Sequence, residues 1–437
     1  MSSATDKRSI LAPTPPMGWN SWDCYGASIT EEEVKANADY MADNLSAFGW
    51  QYVVVDILWY HPDPPQSFYP ETEELVVDQY GRAVPAPNRF PSAAGGRGFK
   101  PLADYIHARA LKFGIHIMRG IPRQVVKANL PILGASARAA DIADKDADCI
   151  WCKNNWGVDT SRPGAQEYYD SMVALYAEWG VDYIKADDMS RPYRAGEIEA
   201  LRAAIDRCGR PIVLSLSPGA APLEHAEHVK RHAQLWRSSG DLWDHWGGEP
   251  EGYAGLKGAF ALCAQWAPHA GPGHWPDPDM LPLGRLCLRD QHGPDRMSRL
   301  TKDEQRTMMT LWCVSRAPLM FGGDLLSMDP FTLSLLTNAE VLAVNQSSTG
   351  NRELFNRGDR IAWVADVPQT EQKYLAVFNL ADEGPAPVKV SLEEVGLSGA
   401  CAVRDLWKEA DLGPCEGSLA PRINAHGAGL YKLTPQG

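Results

Sequence analysis

Short apolar runs alternate with helical patterns from about residue 16 to residue 325. This alternation is typical of βαβ units, in which helices join parallel strands that are buried on both faces. Eight runs qualify as strands: Met17–Trp22, Tyr52–Asp56, Gly114–Arg119, Asp182–Asp187, Ile212–Leu216, Leu235–Asp241, Trp275–Met280 and Pro318–Gly323. Eight strands predict an α/β fold of the (β/α)8 barrel type, because the length of this region suits one such barrel.

Two of the connecting helices have clear signals. Residues 30–33 read Thr-Glu-Glu-Glu, a capping box, and apolar residues then recur at helical spacing from Val34 to Phe48. A second apolar stripe runs from Tyr168 to Trp179 and stops at Gly180, the usual residue type after a helix. We interpret both stripes as core-facing.

The pattern changes after Asn345 to short strands of alternating character, such as Ile361–Ala365, Tyr374–Asn379 and Gly429–Leu433. Turns rich in Gly, Pro and Asp separate these strands at intervals typical of a β-sandwich. We therefore expect a barrel domain over residues 1–345 and an antiparallel β-sandwich domain over residues 346–437.

Composition narrows the range of ligands. The 437 residues carry 42 basic and 55 acidic side chains, a net charge of −13, which argues against a nucleic acid or an anionic membrane as the partner. Small or neutral ligands remain. Fifteen Trp residues hint at carbohydrate, because flat amphipathic rings suit sugar faces.

No targeting or membrane signal is visible in the sequence. The first residues lack an apolar signal region, and no apolar run reaches the roughly 18 residues that a membrane span needs, so we expect a cytoplasmic protein. Nine scattered cysteines indicate reduced thiols. Cys149 and Cys152 could suggest zinc, but no second Cys or His pair of matching spacing follows, and we expect no metal there.

Acidic residues end several of the predicted strands. Asp56, Asp187 and Asp241 each close an apolar run, and further carboxylates follow at Asp188, Asp244, Asp277, Asp279 and Asp324. The active site of such a barrel lies at the C-terminal ends of its strands. Carboxylates crowded there either hold a hard cation or act as the acid and the nucleophile of glycoside cleavage.

Basic neighbours favour glycoside cleavage. Lys185 lies two residues before Asp187, on the same strand face, where its charge would keep that carboxylate ionised. Arg237 lies four residues before Asp241 and offers a second positive group. For Asp188, Asp244, Asp277 and Asp324, a role as a helix cap or a surface charge stays equally open.

These residues resemble the retaining α-galactosidases of glycoside hydrolase family twenty-seven, which also includes α-N-acetylgalactosaminidases and β-L-arabinopyranosidases. The resemblance covers nearly the whole chain. It rests on Pro15–Trp22, Lys185–Asp187, Arg237–Asp241, Gly271–Leu281 and the C-terminal segments Phe378–Leu380 and Val403–Trp407. Segments that follow one another in the family's order make the resemblance specific.

The resemblance implies a role for each candidate residue. Asp187 is the expected nucleophile and Asp241 the expected general acid/base, with carboxyl groups about 5–5.5 Å apart. Trp22 is expected to stack on the sugar, and Asp56 with Lys185 to bind its far hydroxyls. The remaining expected substrate-binding residues are His116, where relatives often have a Tyr, Arg237, Asp279 and Met280.

One departure from the family pattern bears on the substrate. The α-galactosidases typically carry two adjacent Asp residues after the second strand, whereas this chain reads Asp56-Ile57. Isoleucine cannot accept a hydrogen bond from the sugar's O6, and leaving that hydroxyl buried and unpaired costs about 1–3 kcal/mol. β-L-Arabinopyranose is D-galactopyranose without the hydroxymethyl group, so Ile57 favours it. The competing interpretation is that Ile57 packs in the wall while another residue serves O6.

The fifth strand carries a second departure. Ser217 stands where many relatives have bulkier residues near the sugar's 2-position, which keeps an α-N-acetylgalactosaminidase as a minor option. An α-D-galactosidase, a non-catalytic sugar-binding protein and a metal-binding barrel mouth stay open as well. We expect a small glycoside or oligosaccharide as substrate, no cofactor, and an assembly into homo-oligomers as an open option, with the natural linkage undetermined.

Overall fold

The computed structural model describes residues 11–64, 74–247, 255–289 and 292–436. Eight parallel strands form its central sheet, in the order β7-β6-β5-β4-β3-β2-β1-β8. The strands are β1 Met17–Asn20, β2 Tyr52–Val55, β3 Lys112–Met118, β4 Tyr183–Asp187, β5 Val213–Leu216, β6 Leu235–Arg237, β7 Trp275–Asp277 and β8 Leu319–Phe321. Each lies within or overlaps a strand predicted from the sequence, so the predicted barrel is confirmed.

The ring closes through a short bridge beyond the end of β7. Leu281 pairs with Phe321 in parallel, and its amide donates to the carbonyl of Met320 at 2.8 Å. The chain reaches this position through Asp279, whose backbone has a φ of 104°, in the region that non-glycine residues rarely adopt. Barrel closure therefore fixes the segment that carries Asp279.

Helices connect these strands, and the longer ones pack on the outer side of the sheet. They are α1 Trp22–Tyr25, α2 Glu31–Asn44, α3 Lys100–His107, α4 Arg123–Ala128, α5 Ala139–Ile142, α6 Ala165–Trp179, α7 Ala195–Arg207, α8 Ala226–His232, α9 Leu256–Trp266, α10 Lys302–Ser315, α11 Pro330–Leu336 and α12 Ala339–Ser347. The capping box at Thr30 is present, because the side chains of Thr30 and Glu33 each accept the other's amide. Gly180 ends α6 in the left-handed conformation, as predicted.

The barrel interior follows a period of two along each strand. Val53 and Val55 of β2 face the helices, whereas Tyr52 and Val54 face the interior. The interior cluster draws one or two residues from most strands: Tyr52, Val54, Tyr183, Val213, Leu235, Trp275 and Met320. Polar side chains take over at the next inward positions, toward the C-terminal ends of the strands.

Six antiparallel strands form the sheet of the C-terminal region, in the order β9-β10-β11-β14-β12-β13. Their bounds are β9 Thr349–Arg357, β10 Arg360–Asp366, β11 Lys373–Asn379, β12 Ala400–Asp405, β13 Ala410–Glu416 and β14 Ala428–Pro435. Two-stranded ladders and a helix, α13 Leu392–Val395, pack against one face of this sheet. This is the predicted β-sandwich.

The other face of the sheet packs on the barrel. Trp363 and Phe378 belong to the same apolar cluster as the barrel helices, and the indole of Trp407 donates to Thr310 Oγ1 on α10 at 2.9 Å. The helix α12 ends at Ser347, so the domain boundary predicted at residue 346 falls in its last turn and stays a prediction.

Two further expectations concern cysteine and membranes. Cys149 and Cys152 are both buried and are not bonded to each other as a disulfide. Within the described ranges, no helix has both the length and the apolar character that crossing a membrane requires.

Candidate active site

The site residues occupy the inward positions that follow the apolar interior. On β4, Tyr183 belongs to the interior cluster, and Lys185 and Asp187 are the next two residues of the same face. On β2, the same count from Tyr52 and Val54 leads to Asp56. A strand of a (β/α)8 barrel therefore delivers these side chains to the mouth without any special loop.

Two donors hold the carboxylate of Asp187. The amide of Asp188 donates to Oδ1 at 2.5 Å, and Nε2 of His116 lies 2.7 Å from Oδ2. An ionised carboxylate only accepts hydrogen bonds, so this contact requires the His116 proton on Nε2. His116 is fully buried on β3, where it is paired with Lys185 across the ladder. Asp187 is thereby fixed in orientation.

A buried ion pair lies beside Asp187. Lys185 Nζ donates to Asp56 Oδ2 at 2.8 Å, and Nδ2 of Asn20 donates to the same oxygen at 2.7 Å. Burial opposes the charged form of Asp56, but Lys185 and His116 outweigh it and lower the pKa of Asp56 to about 2. Burial likewise opposes the charge on Lys185, yet Asp56 and Asp187 raise the pKa of Lys185 above its ordinary value.

A second charged group lies across the mouth. Arg237 Nη2 lies 2.8 Å from Asp279 Oδ2 and 3.3 Å from Asp241 Oδ1, and it also donates to the carbonyl of Gly240 at 2.5 Å. The amide of Leu242 donates to Asp279 Oδ2 at 2.7 Å. Arg237 therefore connects the loop that carries Asp241 to the segment that closes the barrel.

The charges on the two sides of the mouth shift one another's pKa values. Burial, followed by the charges of Asp241 and Asp277, raises the pKa of Asp279 despite the opposing effect of Arg237. The carboxylate of Asp279 in turn contributes to the raised pKa of Lys185. The charged residues at the ends of β2, β4, β6 and β7 are thus electrostatically coupled.

Three further candidates line the same region. Trp22 packs against the interior cluster to which Met280 belongs, and its ring meets the ring of His292 edge to face, with centroids 6.1 Å apart. Ser217 follows β5 and is buried. Its amide donates to the carbonyl of Ala186 at 2.8 Å, while its Oγ has no hydrogen-bond partner within the described ranges.

Ile57 lies directly beside Asp56. Its amide donates to Asp56 Oδ1 at 2.8 Å, and its side chain is only 2% exposed. The side chain belongs to the large apolar cluster between the barrel and its helices. An apolar group consequently fills the position at which a second carboxylate would follow Asp56.

The four carboxylates that could equally be caps or surface charges have structural partners. Asp188 forms an ion pair with Arg119, and Asp244 forms one with Arg296, each at 2.6 Å. Asp324 accepts from the hydroxyl of Tyr25 at 2.8 Å and caps a short helical turn. The fourth of these carboxylates, that of Asp277, accepts the amide of Asp279 at 2.9 Å. These contacts account for all four without a direct catalytic role.

Two parts of the site carry no assignment in the sequence analysis. Asn20 donates to Asp56, and it is the inward residue at the end of β1, so the period of two could have identified it. The second is a stack of Trp243 on His292 beside Trp22, with ring centroids 4.1 Å apart. Two separate loops supply these rings, and no local sequence pattern predicts their contact.

Paired carboxylates at the mouth of a (β/α)8 barrel, together with a C-terminal β-sandwich, are the arrangement expected of a glycoside hydrolase. Comparison with known protein families supports this class. Residues 149–347 match the family model described as alpha galactosidase A, and residues 357–433 match the alpha galactosidase C-terminal beta sandwich domain.

Comparison with individual proteins extends this match over the whole chain. The crystal structure of a β-L-arabinopyranosidase of family twenty-seven from Geobacillus stearothermophilus is 52% identical, with a TM-score of 0.94 over 98% of both chains. An aspartate-to-alanine variant of that enzyme, in complex with arabinose, is 51% identical, with a TM-score of 0.95 over 100% of both chains. An α-galactosidase from Cyamopsis tetragonoloba is 29% identical over 98% of this chain and 87% of its own length. The chain belongs to glycoside hydrolase family twenty-seven, the α-galactosidase family.

Proposed function

We propose that this glycoside hydrolase releases terminal β-L-arabinopyranose with retention of configuration, and that it cleaves α-galactosides more weakly. The observation that carries the proposal is the buried Ile57 directly after Asp56. The 52% identity to the β-L-arabinopyranosidase from Geobacillus stearothermophilus supports it independently.

The reaction would follow a double displacement. Asp187 attacks the anomeric carbon while Asp241 protonates the departing glycosidic oxygen, which gives a covalent sugar-enzyme ester and a free aglycone. Asp241 then removes a proton from a water molecule, and the resulting hydroxide displaces Asp187. This sequence requires the two carboxyl groups about 5–5.5 Å apart and uses no cofactor.

The surrounding residues would hold the sugar. The ion pair of Asp56 and Lys185 offers an acceptor and a donor to hydroxyls on the far edge of the ring, and Trp22 offers a flat face. Arg237, Asp279 and Met280 would contact the sugar from the side of Asp241. His116 keeps Asp187 oriented, and Ser217 leaves the 2-position open.

The apolar side chain of Ile57 would select against the hydroxymethyl group of galactose. A galactoside would place its O6 against a group that cannot accept a hydrogen bond, at a cost of about 1–3 kcal/mol. That cost corresponds to a preference of roughly 5- to 150-fold for the arabinopyranoside. A second candidate function, that of an α-D-galactosidase, is favoured by the packing of Ile57 with the residues of the barrel wall.

The deciding experiment compares kcat/KM on p-nitrophenyl β-L-arabinopyranoside and p-nitrophenyl α-D-galactopyranoside. We expect the arabinopyranoside to be preferred in the wild-type enzyme and the ratio to fall in Ile57→Asp. Ile57→Asn is a second variant, because it supplies an acceptor without placing a charge in a buried position. Ile57→Leu is the matched control that keeps the site apolar.

Three outcomes would contradict the proposal. A clear wild-type preference for the galactoside would overturn the interpretation of Ile57. An unchanged ratio in folded Ile57→Asp and Ile57→Asn would mean that this residue does not face the sugar's C6. Preferred cleavage of p-nitrophenyl α-N-acetylgalactosaminide would instead assign the open space at Ser217 to an acetamido group.

The proposed retention of anomeric configuration can be tested separately. Proton NMR of the first-formed sugar distinguishes the anomers before they interconvert. Retention is expected from a double displacement, and appearance of the inverted anomer would contradict a nucleophilic role for Asp187.

A further inference from the structure

A group of potential metal ligands lies outside the barrel mouth. It consists of Glu199 on α7 and of His228 and His232 on α8, and one ligand atom from each lies within 4.8 Å of the other two. Nε2 of His228 is 2.9 Å from Glu199 Oε1, and the two imidazole rings have centroids 4.4 Å apart. Among the described residues, this is the one group of three with such spacing.

The arrangement follows from helix geometry. His228 and His232 are four residues apart on α8, so both rings emerge from the same face of the helix. Glu199 reaches the same point from the neighbouring helix. Two imidazoles and one carboxylate are a zinc-binding combination that leaves a fourth position for water. Ligand atoms on a tetrahedral zinc ion lie about 3.4 Å apart, from bond lengths of about 2.1 Å, so only small side-chain rotations are needed here.

A second contact orients His228 for this task. The hydroxyl of Tyr193 lies 2.6 Å from Nδ1 of His228. When a metal takes the lone pair of Nε2, the proton must lie on Nδ1, and the Tyr193 oxygen can accept it. Tyr193 is itself held by His225, whose ring stacks on it at 3.9 Å and 8°. Ligating histidines in proteins usually have such an outer partner.

The charges near the group are mixed. Lys230 points to Glu227, with which it pairs at 3.0 Å, while Arg231 and both histidines act on Glu199. Glu199 is 56% exposed and His228 is 19% exposed, which leaves an access route from solvent.

We propose that Glu199, His228 and His232 bind one divalent transition-metal ion of the Zn²⁺ type. The ion joins α7 to α8. Through Tyr193 it also restrains the segment between β4, which carries Asp187, and α7. Bond cleavage does not use the ion, because the reacting carboxylates have other partners: His116 lies beside Asp187 and Arg237 beside Asp241.

The test measures binding of Zn²⁺ to the full-length, tag-free enzyme by titration calorimetry after treatment with EDTA. We expect one ion per chain and a rise in Tm of a few degrees with excess Zn²⁺. His228→Ala and His232→Ala should lose both effects. Glu199 is largely exposed, so the variant Glu199→Gln should keep the native fold. It should weaken Zn²⁺ binding about tenfold. His269→Gln is the matched control and should bind as the wild type does.

Cobalt distinguishes this site from a cysteine site. Co²⁺ bound by imidazole and carboxylate shows visible bands without the thiolate charge-transfer band in the near ultraviolet, and that spectrum is expected. Binding that persists in His228→Ala and His232→Ala, a thiolate band, or the absence of Zn²⁺ binding would each overturn the proposal. Hydrolytic activity should survive EDTA; its loss would contradict a purely structural ion.

Discussion

The two sides of the barrel mouth hold their carboxylates differently. The side chain of Asp187 is 8% exposed and has a donor on each oxygen. The side chain of Asp241 is 42% exposed and, within the described part of the chain, its one polar contact is with Arg237 at 3.3 Å. A nucleophile must be ionised and fixed, because its attack depends on orientation. An acid/base must exchange protons with a leaving group and then with water, which a side chain open to solvent can do.

The difference predicts the largest effect for the fixed side. Asp187→Ala should lower kcat on any glycoside by about 10⁴- to 10⁶-fold, because the covalent intermediate proposed above forms on this carboxylate. Steady-state kinetics on an activated aryl glycoside measures this, and circular dichroism checks the fold. If more than a tenth of the activity remained, Asp187 would not be the nucleophile.

The exposed side should respond according to the leaving group. Asp241→Ala should slow glycosides with poor leaving groups by about 10²- to 10⁴-fold. A dinitrophenyl glycoside needs no protonation on departure, so its first step should be nearly unaffected. Added azide should restore turnover and yield a glycosyl azide of retained configuration. Equal losses on all leaving groups, with no rescue by azide, would contradict the assignment.

The buried ion pair on the fixed side should matter for stability as well as binding. Lys185→Met leaves the carboxylate of Asp56 buried without its cation, which should lower the free energy of unfolding by about 3–5 kcal/mol. Denaturant unfolding measures the loss.

Two further variants complete that measurement. The double variant Lys185→Met with Asp56→Asn removes both charges and should recover part of the stability. Lys100→Met breaks an ion pair with Asp104 in which both side chains are more than half exposed, so it should cost less than about 1 kcal/mol. If Lys185→Met were equally mild, the pair would not be stabilising the folded mouth.

Much of this mouth follows from the sequence, because a strand in a barrel alternates strictly. The apolar runs gave the eight strands, and the residue that closes each run lies at the mouth, as Asp56 and Asp187 do. Asn20 obeys the same rule and could have been assigned with it.

Other parts of the site depend on contacts that no local pattern encodes. Asp279 reaches Arg237 because the chain adopts an unusual backbone conformation before Leu281 closes the ring. The stack of Trp243 on His292 requires two loops to meet. Spacing along a strand fixes the direction of a side chain, whereas loop contacts arise only from the folded whole.

The smallest expected effects concern pH, and they differ in sign between the two sides. The folded pKa of Asp56 is lowered to about 2, so the unfolded chain binds its proton more tightly. The resulting stabilisation is present above the unfolded pKa near 4 and is lost as pH falls toward 2. Asp279 has a raised pKa, for which burial is the main cause. Its contribution is most favourable below about pH 4 and declines as pH rises through its folded pKa.

Unfolding free energies of the wild type, Asp56→Asn and Asp279→Asn across this range test the contrast. The advantage of the wild type over Asp56→Asn should shrink by about 1 kcal/mol between about pH 5 and pH 3. The advantage over Asp279→Asn should instead shrink as pH rises above about 4. Profiles of the same sign would mean that the two carboxylates have similar environments. The side of the mouth that carries Asp187 would then stabilise negative charge no better than the side that carries Asp241.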